Sequence, residues 1–143
     1  MGYSKVDPEL KRTIKNLSFI YKEEPQPELL LRIPNSFPDS KYTVRHETEE
    51  FTSVCPLNIS QPDHAKIIIE FQPREFLVEL KSLKFFLTSF RDVEIFHEQV
   101  PPYILDQLVK LLDPKWIFVT GEFTTRGGLR TTVQDRYVRP RDE

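Results

Sequence analysis

Two hydrophobic periods alternate along this chain, and each change of period marks a new element. "AKIIIEF" sets Ala65, Ile67, Ile69 and Phe71 on one side and Lys66 and Glu70 on the other. A period of two is the mark of a strand buried on one face. Upstream, "KYTVRHETEEFTSV" is rich in β-branched residues and reads as a longer strand over 41–54. The period then changes. In "SLKFFLTSF", Leu83, Phe86, Leu87 and Phe90 recur at helical spacing and form an apolar stripe. "PPYILDQLVKLLDP" repeats that stripe with Ile104, Leu105, Leu108, Leu111 and Leu112. Pro101 and Pro102 suit its start, and Asp113-Pro114 its end. "KWIFVTGEFT" and "LRTTVQDRY" return to strand character, and "TRGG" between them offers the glycines of a hairpin turn.

The predicted order is strand, strand, helix, helix, strand, strand. That is an α+β fold, an antiparallel four-stranded sheet with two helices on one face. Such a sheet leaves a second face and two edges to be covered, so subunit association is expected. Residues 1–40 read as a peripheral N-terminal arm. In it, "DPELKRTIKNL" predicts a short helix, with Pro8 at the first helical position behind Asp7. "EEPQPELLLRIPNSFPDS" holds four prolines and predicts an extended loop. Residues 41–143 form the single folded domain.

Bulk properties narrow the function classes. A chain of 143 residues with 38% hydrophobic and 29% charged side chains is globular and suits one domain. The net charge of -2 argues against nucleic acid or an anionic membrane as partner. No apolar run approaches the roughly 20 residues that would cross a bilayer. The polar "MGYSKVDPELKRT" lacks the apolar core of a secretion signal. Val6 stands where a myristoylation motif needs Ser or Thr. Cys55 is the only cysteine, so no internal disulfide forms, and a cytoplasmic protein with a free thiol is expected.

That cysteine sets the chemical question. A lone Cys in a strand is commonly a small buried apolar residue. Cys55, however, comes at the strand's end, with Pro56 stiffening the exit. Asp63 and His64 open the next strand, so pairing could return Asp63 to the side of Cys55. A thiol with a pKa near 8.5 is only a few per cent thiolate at neutral pH. A carboxylate that takes its proton would make it a usable nucleophile. Zinc is a poor fit, because one Cys and His46, His64 and His97 show no ligand spacing. "FHEQ" places His97 and Glu98 at a helix entry, either as a surface pair or as a carboxylate for a guanine-like N–H edge. "VELKSLKFF" ends a strand at Glu79 and opens a helix near Ser82, with Lys81 and Lys84 on one face. These lysines are solvated charges, or they flank a helix N-terminus that receives a phosphate, with Arg126 adding a cation. No GxGxxG occurs, so a nucleotide would not be held in the Rossmann manner.

"EFTSVCP", "QPDHA", "VELKSLKFF", "SFRDVEIFHE" and "GEFTTRGGLRT" together resemble, in order, the single-domain 7-cyano-7-deazaguanine reductases, called QueF. The likeness covers roughly residues 41–133. "ELKSLKFF" is its most distinctive part and matches the family's nicotinamide-cofactor motif, with Phe85 where Leu or Tyr is usual. The resemblance implies the tunnelling fold (T-fold), whose subunits join side by side into a barrel, commonly two stacked rings, with active sites between subunits. It implies reduction of a nitrile to a primary amine with two NADPH, giving a precursor of the queuosine base of tRNA. On this likeness Cys55 forms a thioimide, Asp63 is acid and base, and His97 is a second proton donor or a lid. Glu98 and Glu79 hold the deazaguanine ring, with the backbone of Val78 and Leu80 near it. Lys81, Ser82, Lys84 and Arg126 meet the cofactor's phosphates.

Three rivals remain open at this point. A QueF-like relative makes an amidine on tRNA without NADPH, and the cofactor motif argues against it. A zinc-dependent pterin-forming cyclohydrolase shares the fold but needs ligands that are missing here. A purine- or pterin-binding oligomer with a purely structural Cys55 would not be an enzyme at all.

Overall fold

The structure is a computed structural model describing residues 6–141; at 59 and 60 it describes the backbone alone. Helix α1 (Pro8–Lys15) is followed by strands β1 (Arg32–Pro34), β2 (Val44–Cys55), β3 (Asn58–Gln72) and β4 (Phe76–Val78). Helices α2 (Leu80–Thr88) and α3 (Val100–Leu112) then precede strands β5 (Trp116–Phe123) and β6 (Thr132–Val138). The fold is mixed α+β. One antiparallel sheet has the order β2-β3-β5-β6, and β1 and β4 form a second, two-stranded one.

The period-two pattern decides which face of the large sheet is dry. Ala65, Ile67, Ile69 and Phe71 of β3 and Ile117, Val119 and Phe123 of β5 are all at most 3% exposed. The helical stripes cover that face, here called the front. Leu83, Phe86, Leu87 and Phe90 are buried, as are Ile104, Leu105, Leu108 and Leu112. Burying each such side chain contributes roughly 1.5–3 kcal/mol. Phe90 ends the α2 stripe inside a 3-10 turn, Ser89–Asp92, with its ring 5.2 Å from Phe51 and 5.5 Å from Phe86. This contact fixes α2 along β2. On the back of the sheet lie Arg45, Glu47, Lys66 and Glu70, joined by partly exposed ion pairs.

A bulge in β2 matters most for the site. Thr48 pairs with Ile67, but the next pair is Phe51 with Ala65, so β2 carries one extra residue. His46 and Thr48 face the front before the bulge; Phe51, Ser53 and Cys55 face it afterwards. An unbroken ladder would have turned Cys55 to the back.

Two segments differ from the sequence-based expectation. β3 starts at Asn58, well before Ala65, because the chain reverses tightly at Pro56-Leu57 and Cys55 pairs with Asn58. Since Val54 pairs with Pro62, residues 59–61 are extra on the β3 side. The inner part of the arm is also built into the fold, not laid loosely outside it. Gln26, Leu29, Leu30 and Asn35 are buried, and β1 pairs with β4. A three-residue strand among prolines has no period to betray it. The outer arm agrees with expectation: Asp7 Oδ1 accepts from the Glu9 N–H at 2.7 Å, and Pro8 opens α1. Among the described residues no helix is long and apolar enough to cross a membrane.

Candidate active site

The end of the sheet where β2 turns into β3 gathers the chemistry. Asp63 stands opposite Ser53 in the ladder, so it shares the front face with Ser53 and Cys55. Cys55 is a half-buried free thiol, while Asp63 is 4% exposed. His97 arrives by a backbone device. Val54 N–H donates to Val93 O at 2.9 Å, and Ile95 N–H donates to Val54 O at 3.1 Å. Residues 93–95 therefore lie on the outer edge of β2 as a short parallel bridge. The following 3-10 turn, His97–Gln99, is closed by Gln99 Oε1 accepting from the Phe96 N–H at 3.0 Å. This places His97 Nε2 3.3 Å from Asp63 Oδ2. The imidazole lies flat on Phe123, with centroids 4.0 Å apart and planes 11° apart.

The other carboxylate oxygen, Asp63 Oδ1, is 2.5 Å from Arg126 Nη2, which also donates to Pro62 O. Arg126 can reach back because the β5–β6 loop folds tightly there. Arg126 and Leu129 exchange two backbone hydrogen bonds of 2.8 Å across Gly127 and Gly128, whose φ angles are 55° and 80°. Both angles lie in the left-handed region that glycine enters without penalty. Asp63 is thus gripped on both oxygens. Arg126, expected at a cofactor phosphate, is engaged with the carboxylate in this chain.

The second group of expected site residues lies elsewhere. Glu79 caps α2: its Oε1 accepts from Ser82 N–H at 2.7 Å and its Oε2 from Lys81 N–H at 3.0 Å. The amide groups expected to face a phosphate are therefore taken by this carboxylate. Ser82 is fully buried; its Oγ donates to Glu79 O at 2.7 Å and accepts from Leu31 N–H at 3.0 Å. Lys81 Nζ donates to Ile14 O at 3.0 Å and Lys15 O at 3.1 Å, so it ties down the C-terminal end of α1. Lys84 and Leu80 remain exposed beside a groove of about 980 Å³ between α2 and β2. Val78 is buried and paired with Arg32.

These two groups do not meet within one chain. α2 runs alongside β2, from Leu80 in the groove beside Arg45 and His46 toward Phe90 at Phe51. The ten steps from Leu80 to Phe90, through α2 and into the 3-10 turn, span about 15 Å, and the four strand steps from Phe51 to Cys55 add about 13 Å. Glu79 and Cys55 are therefore on the order of 25 Å apart. Glu98, exposed on the turn beside His97, belongs to the Cys55 end. Among the described residues no three His, Cys, Asp or Glu side chains gather as a metal would require.

Two participants escaped the sequence reading. Phe123, the platform under His97, stands in "KWIFVTGEFT" only as one more strand residue. Ser53 sits in "FTSVC" at the parity of Phe51 and Cys55, so a polar residue on an apolar face was its available signal. A thiol on the face that also carries a gripped carboxylate and a stacked imidazole is what covalent, thiol-based catalysis would need.

The chain belongs to the QueF-like protein family, whose model matches residues 62–142. It is 51% identical over 110 residues to an NADPH-dependent 7-cyano-7-deazaguanine reductase of Caldicellulosiruptor bescii, spanning 77% of this chain and 83% of the relative. It is 41% identical over 127 residues to the enzyme of the same name from Syntrophus aciditrophicus, spanning 89% and 90%. The structure is also similar to the archaeosine synthase QueF-Like in its apo form. That match has a TM-score of 0.63 and 26% identity, and covers 68% of this chain and 94% of the other.

Proposed function

We propose that this protein reduces the nitrile of 7-cyano-7-deazaguanine to the aminomethyl group with NADPH, in the formation of queuosine, through a thioimide on Cys55. The observation that carries the reading is the placement of Cys55 and Asp63 on one face at one end of the sheet, with His97 on the carboxylate. The names of relatives at 41–51% identity supply the substrate and cofactor.

The chain's own residues divide the work as follows. Cys55 sulfur bonds to the nitrile carbon while its proton passes through Asp63 to the nitrile nitrogen, giving a thioimide. Splitting one hard step into easier ones is the gain of covalent catalysis. NADPH, when bound, supplies hydride to the carbon in each of two reductions. Between them the carbon–sulfur bond breaks, Cys55 leaves as thiolate, and an imine stays in the site. His97, stacked on Phe123 and only partly exposed, delivers a proton to nitrogen and helps keep water from the imine. Glu98 accepts from the N–H edge of the ring.

The distance between the two residue groups calls for a second subunit. Strands β2 and β6 are the edges of the large sheet, and β6 has no buried side chain. Joining edges between copies would continue the sheet into a T-fold barrel and remove both edges. The start of α2 from one copy then faces Cys55 of the next. That brings Val78, Glu79 and Leu80 to the ring, and Lys84 and Lys81 toward the cofactor's phosphates, which Arg126 would join only by letting go of Asp63. Exposed Lys84 fits this part directly. Lys81 fits once it releases α1, and Ser82, fully buried, shapes the helix start instead. The partners are thus a small molecule and further copies of this chain, in a cytoplasmic enzyme.

The test is incubation with 7-cyano-7-deazaguanine, first alone and then with NADPH. The expected result is a mass increase on Cys55, then nitrile-dependent NADPH oxidation, both lost in Cys55→Ala. Turnover by Cys55→Ala at a similar rate would overturn the covalent route. An adduct without NADPH oxidation would point to amidine-forming chemistry like that of the archaeosine synthase.

A further inference from the structure

Ser53 is fully buried, and its Oγ has no hydrogen-bond partner. It is the one buried side-chain oxygen or nitrogen in that condition among the described residues. A buried hydroxyl without a partner has lost its hydrogen bonds to water with nothing in return, and alanine would fill nearly the same space without that cost. No hydrogen bond among the described residues offsets this. The surroundings suggest what does. Ser53 is directly opposite Asp63 in the β2–β3 ladder, and two residues before Cys55 on the same face. Directly opposed residues have Cβ atoms about 4.5–5.5 Å apart. A change of χ1 well moves Oγ without moving the strand.

The donors already on Asp63 have a gap that a hydroxyl fills. Arg126 holds Oδ1, but a guanidinium has donors only. The guanidinium therefore serves only the carboxylate, and His97 Nε2, 3.3 Å from Oδ2, can accept from the acid only while the imidazole is itself unprotonated there. A hydroxyl both donates and accepts. It can donate to the carboxylate before proton transfer and accept from the carboxylic acid afterwards.

We propose that Ser53 is a positioning residue for Asp63: its unpaired hydroxyl takes up a hydrogen bond to the Asp63 carboxyl during proton transfer and keeps it turned toward Cys55. The proposal rests on Asp63 being the acid and base of the site. No bond is made or broken at Ser53; the proton travels between Cys55, Asp63 and the nitrile nitrogen.

The experiment measures Cys55 adduct formation with 7-cyano-7-deazaguanine by mass, across pH, together with thermal melting. Ser53→Ala should form adduct about tenfold more slowly, the effect of one lost hydrogen bond, and with a displaced pH profile. Its melting temperature should be unchanged or higher, because an unpaired buried hydroxyl is gone. Ser53→Thr, which keeps the hydroxyl, should recover most of the rate. In an Asp63→Asn background, the Ser53→Ala effect should vanish, since Ser53 acts through that carboxyl. Slow adduct formation by Asp63→Asn with a normal rate and pH profile for Ser53→Ala would overturn this proposal alone. Normal rates for both variants would overturn the assignment of Asp63 as well. Equal losses in Ser53→Ala and Ser53→Thr, with lower melting temperatures, would make Ser53 a packing residue and reject the proposal.

Discussion

Gly121→Ala tests how α3 positions the site. Gly121 lies on the front of β5, paired with Ile67 and Val133. A Cβ there would sit 2.8 Å from Cε2 of Phe123 and 3.2 Å from Cγ of Pro101. The first distance is inside van der Waals contact, and neither neighbour moves freely. Phe123 is 2% exposed, and Pro101 is buried in the first turn of α3. Overpacking of this kind costs about 1–3 kcal/mol. For a chain of this size each kcal/mol lowers Tm by roughly 3–5 °C, so a fall of about 3–15 °C is expected. The strain also has a direction. Relief requires the Phe123 ring to shift, and His97 is stacked on that ring at 4.0 Å with its Nε2 3.3 Å from Asp63 Oδ2. The reaction should therefore slow by more than the loss of folded protein explains, at a temperature where both proteins are folded. Near-ultraviolet circular dichroism at fixed protein concentration gives Tm, and NADPH oxidation gives the rate. A variant with native Tm would show that the sheet and α3 separate easily. A lower Tm with an unaltered rate would break the proposed link from Gly121 through Phe123 to His97.

Two further outcomes are expected. Glu79→Ala removes the cap from two amide groups of α2 and should cost about 0.5–2 kcal/mol in denaturant unfolding; an unchanged midpoint would show that the cap is idle. His46, half-buried against Phe71, has its pKa lowered by desolvation. The unfolded chain then binds that proton first as pH falls below about 6.5, so its contribution to stability is full above that value and declines below it. His46→Gln should lose less stability than the parent between pH 7 and pH 5, and parallel curves would refute this.

The residues of the candidate site were legible one at a time, because residue type carries chemistry wherever the chain runs. A lone thiol before a proline, a carboxylate at the next strand's start and a His-Glu pair at a helix entry were visible as text. The placement of the arm was not. Leu29 and Leu30 are buried and Arg32–Pro34 pairs with β4, yet three-residue elements leave no period to read. Nor was the use of charged side chains. Lys81, Glu79 and Arg126 all appeared free to meet ligands, and each has an intramolecular partner. Such partnering depends on loops and helix ends meeting in space, which spacing along the chain does not encode.

By itself, the sequence determined the order of the long strands and of the two helices between them, and the dry face, since periods of 2 and 3.6 are local consequences of backbone geometry. It also determined which groups are available for chemistry. Tertiary structure alone decided that the thiol and carboxylate share a face. One extra residue in β2 reverses the parity of everything after it, and only the pairing with β3 reveals that residue. Tertiary structure likewise decided that a serine hydroxyl is sealed beside Asp63 without a partner, because burial is set by what the whole chain packs around a position.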